Sequence, residues 1–367
     1  MKIDITSIDK ENFIVKDVNF CGIDSILVTP NHVGTKFTQE NKIFRSSIWS
    51  KSGELISGGL KKFCNFGENP ENFPVPIDLT NCKIYDKLDG SLGIFDYVND
   101  NFNIRSRGTV NAETDLGNGY EIPILKNKYP KIETWLKENQ NYTILCEWLS
   151  DKQVIVLRYN NCPDFRLLGI VNKDDYSYLP QETVDEISKI IEVPRPETYK
   201  FDTIKNLMVT IQNLQDKEGV CIYSNNDQEI HKVKALKYLK LHHLKSELSS
   251  LSKVLDLYLI FYPLKTDKEF FEFIETTFDY EIAVQTKPLI DKIYDTKIKM
   301  EVLFDKLYEF YHLSLESIKS NRRECAALIL TNYPVYSNIL FKILDGNDVR
   351  NNKMIIQKIM YKLLELE

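Results

Sequence analysis

A chain of 367 residues that is 43% hydrophobic, with 20 Tyr and 19 Phe, can bury the cores of two domains or of one large domain with an extension. Its formal charge of -6 excludes a uniformly basic nucleic-acid coat, so phosphate binding has to come from a local cluster of Lys and Arg. Seven scattered cysteines without a C-x-x-C pair argue against a disulfide framework or a zinc site, and no apolar run nears the ~18 residues of a membrane span. With no signal-peptide pattern at the N-terminus, a soluble cytoplasmic protein without membrane contact is expected.

Residues 1–44 mix short strand-like runs, Phe13-Ile14-Val15 and Ile26-Leu27-Val28, with polar loops. The stretch Ile43 to Trp49 alternates as a strand would and carries Arg45. After a turn at 51–54 comes a glycine- and asparagine-rich loop at 58–71, GGLKKFCNFGENPE, which brings Lys61 and Lys62 just upstream of the next motif. That motif is KLDGS, Lys87 to Ser91, between a short strand at 83–85 and alternating Leu92, Ile94, Phe95 and Tyr97. A lysine on a loop between two buried strands sits half out of water. Burial depresses an amine's pKa, which would make Lys87 a nucleophile able to form a covalent adduct. Asp89 could hold its ammonium or bind a sugar hydroxyl, and Gly90 lets backbone approach a ligand.

Residues 91–107 read as a hairpin turning at Asn99-Asp100-Asn101 and ending with Arg105 and Arg107 on one strand face. A helix is expected over 129–140, then strands over 142–149, 153–159 and 165–172. Glu147 lies in the first of these between Cys146 and Trp148, where a carboxylate needs a cation, a metal or a hydroxyl. Helices follow over 180–192 and 202–215, the second capped by Asp202. Two strands return, 218–223 and 229–234, the latter with Lys232 and Lys234 on one face. Two adjacent ammonium groups call for an anion between them, and a phosphate suits. Past residue 245 helical periodicity takes over, in segments 251–262, 267–284, 288–318, 321–332, 335–344 and 350–366. His242 and His243 read as structural positions in a helix just before them.

In order, the chain carries KLDGS, RSRGT, CEWL, KEGVCIY and HKVK. This series resembles the covalent nucleotidyltransferase superfamily of ATP-dependent ligases and mRNA capping enzymes, over roughly residues 40–240. Within it the upstream KFCNFGENP, the KxDGSL form and a helical tail resemble the RNA ligase 1 family of the T-even phages. The resemblance implies an α+β fold: a mixed or antiparallel-sheet nucleotidyltransferase domain (residues 1–244) followed by an all-α domain (residues 245–367) that could select RNA. It implies an ATP-dependent RNA ligase that joins 5'-phosphate and 3'-hydroxyl ends in RNA or tRNA repair and works as a monomer with Mg2+, for which Mn2+ could substitute; the phage likeness is compatible with a virus-encoded protein. Lys87 would be the nucleophile, with Asp89 and Gly90 completing its motif. Arg45, Lys62, Arg107, Glu147, Glu218, Gly219, Lys232, Lys234 and Tyr238 would contact the nucleotide, Glu147 and Glu218 also the metal. Ser46 departs from the family's glycine after the upstream arginine, and Arg107 from its lysine. An mRNA guanylyltransferase or DNA ligase should show a terminal β-barrel instead, and an inactive RNA-end-binding protein should have lost a motif lysine.

Overall fold

The computed structural model describes residues 1–367 except 32–33, 151, 240–241, 243–247, 262–265, 278–279 and 367. The chain divides into two compact units, Met1–Lys240 and Leu241–Glu367. The expected boundary at 244/245 and the position of His243 lie outside the described residues; His242 is helical.

The first unit holds three sheets. Strands β1 (Phe13–Phe20), β2 (Ile23–Pro30), β3 (Ser47–Ser50) and β4 (Leu55–Ser57) form an antiparallel meander in that order. A second antiparallel sheet has the order β10-β9-β7-β8, from β7 (Ser91–Val98), β8 (Asn101–Arg105), β9 (Tyr142–Leu149) and β10 (Asp164–Asn172). The hairpin β7–β8 turns on Asn99 and Asp100, both at positive φ, the conformation that lets a two-residue turn follow strand twist. The third sheet has the order β11-β6-β12-β13-β5, from β5 (Cys64–Asn65), β6 (Lys83–Lys87), β11 (Thr198–Tyr199), β12 (Gly219–Ser224) and β13 (Glu229–Lys234). Its β13–β5 pair is parallel and its other pairs among the described residues are antiparallel. Trp49, Tyr85, Ile94, Leu145, Tyr176 and Tyr223 fill a core to which all three sheets contribute.

Several local expectations are corrected. Arg45 ends a 3-10 turn, Lys42–Arg45, and the strand begins only at Ser47. Residues 153–159 form no strand, for a reason seen at the site below. The helix Ile204–Gln212 is capped by Thr203, whose side chain accepts from Asn206 N, not by Asp202. Arg107 lies beyond β8 in a turn and is exposed, whereas Arg105 is wholly buried, so the two do not share a strand face.

The second unit is helical, with Leu251–Phe261, Asp267–Thr277, Tyr280–Phe310, Arg322–Asn332, Ser337–Leu344 and Lys353–Leu363. The long helix runs through Pro288, where the sequence suggested a break between 284 and 288. A proline inside a helix costs ~3 kcal/mol. Ala283, Ile290, Ile293, Met300, Phe304 and Leu307 bury one face along the helix, and that packing offsets the loss. Among the described residues no helix is long and apolar enough to cross a membrane.

Candidate active site

Cross-strand register builds the centre of the site. Gly219 of β12 pairs with Lys87 of β6 on one side and with Lys234 of β13 on the other. The residue before it, Glu218, therefore stands where both lysines reach it. Its Oε1 lies 2.8 Å from Lys87 Nζ and 2.8 Å from Lys234 Nζ. Gly219 is obligatory in this row. Its φ is +150°, and a Cβ there would lie 2.0 Å from Val233 O.

Lys87 is the last residue of β6 and keeps 18% of its side chain exposed. Burial pulls its ammonium pKa down, but Glu218, helped by Cys221 and Glu147, pulls it up by more, and the net shift is upward. The depressed pKa expected from burial is thereby corrected, because that expectation left Glu218 out. The same carboxylate pairs Lys234, so one of the two K-x-K ammonium groups already has an anion beside it. Lys232 is not held that way. Its ammonium stands 5.4 Å over the Phe63 ring, and burial together with Lys234, Lys62, Lys87 and Arg45 lowers its pKa to about 8.

Asp89 neither holds the Lys87 ammonium nor stands open for a sugar. Its Oδ2 accepts from the backbone N–H of Val156 (2.6 Å) and Leu157 (2.8 Å), and its Oδ1 from the Tyr238 hydroxyl (2.6 Å). Asp89 N in turn donates to Tyr159 Oη at 2.8 Å. The carboxylate has taken two amide protons of the 153–159 run, and that segment wraps the motif loop instead of pairing in a sheet. Gly90 donates to Glu147 Oε1 at 3.0 Å, and a Cβ there would meet Trp148 O at 2.6 Å, so its glycine serves the β7–β9 approach. Glu147 has a pKa raised to about 7, chiefly by burial, with Lys87 opposing and Glu218 adding.

Phe63 carries a second cation, Arg45, 5.1 Å over its ring. Arg45 has its pKa lowered by burial and by Arg107, and its Nη1 is buried without a hydrogen-bond partner among the described residues. Lys62 stands 5.2 Å over Phe37. Leu60, Phe63, Leu88, Cys221 and Ile230 line a cavity with Lys87 and Glu147. The loop that presents these groups is buried at residues 58–60 and half-buried at Lys61, so its amides need partners. Hydroxyls supply them: Thr143 Oγ1 accepts from Gly58 N (3.2 Å), Tyr176 Oη from Gly59 N (2.9 Å) and Tyr178 Oη from Lys61 N (2.7 Å). Sequence reading missed Tyr159, Tyr176 and Tyr178. Their only signal is a high tyrosine content, which does not say which hydroxyl meets which amide.

Among the described residues no group of three or more His, Cys, Asp and Glu side chains is arranged to hold a metal unaided. Glu147 and Glu218 nevertheless fit a hard divalent cation shared with phosphates, since a carboxylate lifted to about 7 by burial and a like charge gains from a cation beside it.

The sequence is similar to the RNA ligase family over residues 37–250, more than half of the chain. A search of the curated proteins finds no match. Among solved structures, an archaeal ATP-dependent RNA ligase is similar with a TM-score of 0.50 at 15% identity, over 78% of this chain and 77% of that one. That likeness shows the fold, a ligase nucleotidyltransferase fold. A putative ATP-dependent DNA ligase from Aquifex aeolicus (0.47, 16% identity, 83% of this chain and 78% of that one) is also similar. So is an RNA ligase from Naegleria gruberi solved with ATP and Mn (0.42, 17%, 64% and 79%).

Proposed function

The chain belongs to the RNA ligase family, and from that premise we propose that it is an ATP-dependent RNA ligase which seals a 5'-phosphate to a 3'-hydroxyl through a Lys87 adduct. The observation that carries this reading is the convergence of Lys87 and Lys234 on Glu218, 2.8 Å each, with Lys232 and Arg45 across the Phe63 ring. The nucleophile needs a lone pair, so Lys87 gives up one proton in the direction of Glu218. Its Nζ then attacks the α-phosphorus of ATP. A P–N bond forms, the bond to the β-phosphate oxygen breaks, and pyrophosphate leaves. Lys232, Lys234, Arg45, Lys62 and Arg107 supply preorganised positive charge where negative charge grows. Mg2+, for which Mn2+ substitutes, would be held by Glu147 and Glu218 together with the phosphates and would neutralise their oxygens. The AMP passes from Lys87 to the RNA 5'-phosphate oxygen, and the RNA 3'-hydroxyl then displaces it. Tyr238 holds Asp89, and with it the Lys87 loop, in place. RNA repair, a cytoplasmic setting and a monomer suit this chemistry, with residues 1–244 as the catalytic domain and 245–367 as a module that selects RNA.

Incubation with α-labelled ATP and Mg2+, a denaturing gel and peptide mapping should place acid-labile label on Lys87. Label on another lysine, or none, overturns the assignment.

A further inference from the structure

We propose that Ser46 is a positioning residue that ties the backbone of Arg45 to the turn carrying Arg107, its hydroxyl aimed by the buried guanidinium of Arg105. The proposal rests on reading Arg45 and Arg107 as contacts to the nucleotide's phosphates. Arg105 ends β8 and is 0% exposed, and no carboxylate is hydrogen-bonded to it among the described residues. It is satisfied by neutral oxygens. Nε donates to Ser57 Oγ (2.9 Å), Nη1 to Ser46 Oγ (3.0 Å) and Ser106 O (3.3 Å), and Nη2 to Ser46 O (3.2 Å) and Ser57 O (3.4 Å).

A guanidinium only donates, while a serine hydroxyl has one proton and two lone pairs. Arg105 fills a lone pair of Ser46, so the Ser46 proton is left to point elsewhere. It points to Arg107 O, 2.8 Å away. The direction of the bond is fixed by the chemistry of its neighbour. Ser46 has no room to drift, since a Cβ on Gly59 would already lie 2.0 Å from Ser46 O and 2.8 Å from its Cβ. One residue thus fixes the peptide that follows Arg45 and the carbonyl of Arg107, and with them the backbone under two guanidinium groups that repel. Such a pair keeps its spacing for an anion only if the backbone holds it.

Ser57 provides an internal control. It is as buried as Ser46 and accepts from the same guanidinium, but its proton goes inward to Asp96. Truncating either hydroxyl leaves buried polar groups unpaired, a loss that a protein of ordinary stability survives. The experiment measures KM and kcat for adenylylation of Lys87, with the melting temperature alongside, in Ser46→Ala, Ser46→Gly, Ser57→Ala and Arg107→Ala. Both Ser46 variants should raise KM for ATP about tenfold, as small misplacements of binding groups do, with kcat changed less. Ser57→Ala should lower the melting temperature by as much and leave KM near the parent value. Equal effects of Ser46 and Ser57 truncation on KM, or a parental KM in both Ser46 variants, overturn the proposal. An unchanged KM in Arg107→Ala would instead overturn the phosphate-contact reading on which it stands.

Discussion

Glu218 accepts from both Lys87 and Lys234, and in doing so sets the protonation of the nucleophile. Because its carboxylate raises the pKa of Lys87 in the folded protein, the ion pair contributes stability at neutral pH that is lost as pH rises through that pKa. The same sign governs reactivity: the free amine grows in as pH rises. Glu218→Gln should therefore move the rising limb of the single-turnover adenylylation profile to lower pH, since burial alone pulls Lys87 down. An unmoved limb would mean that Glu218 does not control this amine. Lys87→Arg should abolish the adduct as fully as Lys87→Ala, because a guanidinium stays protonated; residual label at position 87 in either variant is the adverse result. Lys232 is the opposite case. With a pKa near 8, it is partly neutral in mildly alkaline buffer and should take up a proton when ATP arrives. Calorimetry in buffers of different ionisation heat at pH 8 should show that uptake in the parent and its loss in Lys232→Arg. Equal uptake in the two proteins would place the proton elsewhere.

At the scale of elements, what was legible is what local pattern encodes. The alternation of β7, β9 and β10, the Asn99-Asp100 turn and the order of the five motifs stand in the sequence because period and turn chemistry are local properties. What was not legible is decided by partners far along the chain. The run Gln153 to Tyr159 has β-branched residues and alternation, yet Asp89, over sixty residues upstream, takes its amide protons and it wraps a loop. The alternation of Ile43-Phe44-Arg45 predicts a strand at Arg45. Its turn is instead pinned by Tyr176, whose hydroxyl lies 3.2 Å from Ile43 O and 3.2 Å from Gly59 O while accepting from Gly59 N. Glu218 stood one place before a glycine, but only the register of β6, β12 and β13 brings it to Lys87. Tyr176→Phe tests the tyrosine bracing. Leaving buried groups of the 58–61 loop unpaired should destabilise the protein by about 1–3 kcal/mol and raise KM for ATP, as read by denaturant unfolding and initial rates. A stability loss without any change in KM would confine Tyr176 to the core.

The molecule as a whole is built of two units with separate cores. That of Leu241–Glu367 contains Tyr258, Phe270, Ile293, Phe304, Leu340, Ile356 and Met360. Every residue assigned to the adenylylation site lies within Met1–Lys240. The first step of the reaction should therefore need only that unit. The helical unit is nearly charge-balanced in sequence, so it cannot hold RNA by bulk attraction to phosphate, which requires many cationic contacts. Recognition of shape and of unpaired bases is open to it, since stacking on exposed aromatic faces needs little net charge. A protein of residues 1–240 should form the Lys87 adduct at close to the parent rate and seal a simple linear oligonucleotide, but seal a nicked, structured RNA loop poorly. Parental sealing of both substrates would exclude a role for the helical unit in RNA selection. A soluble, folded truncation that fails to adenylylate would show instead that the catalytic unit depends on the helices for its first step.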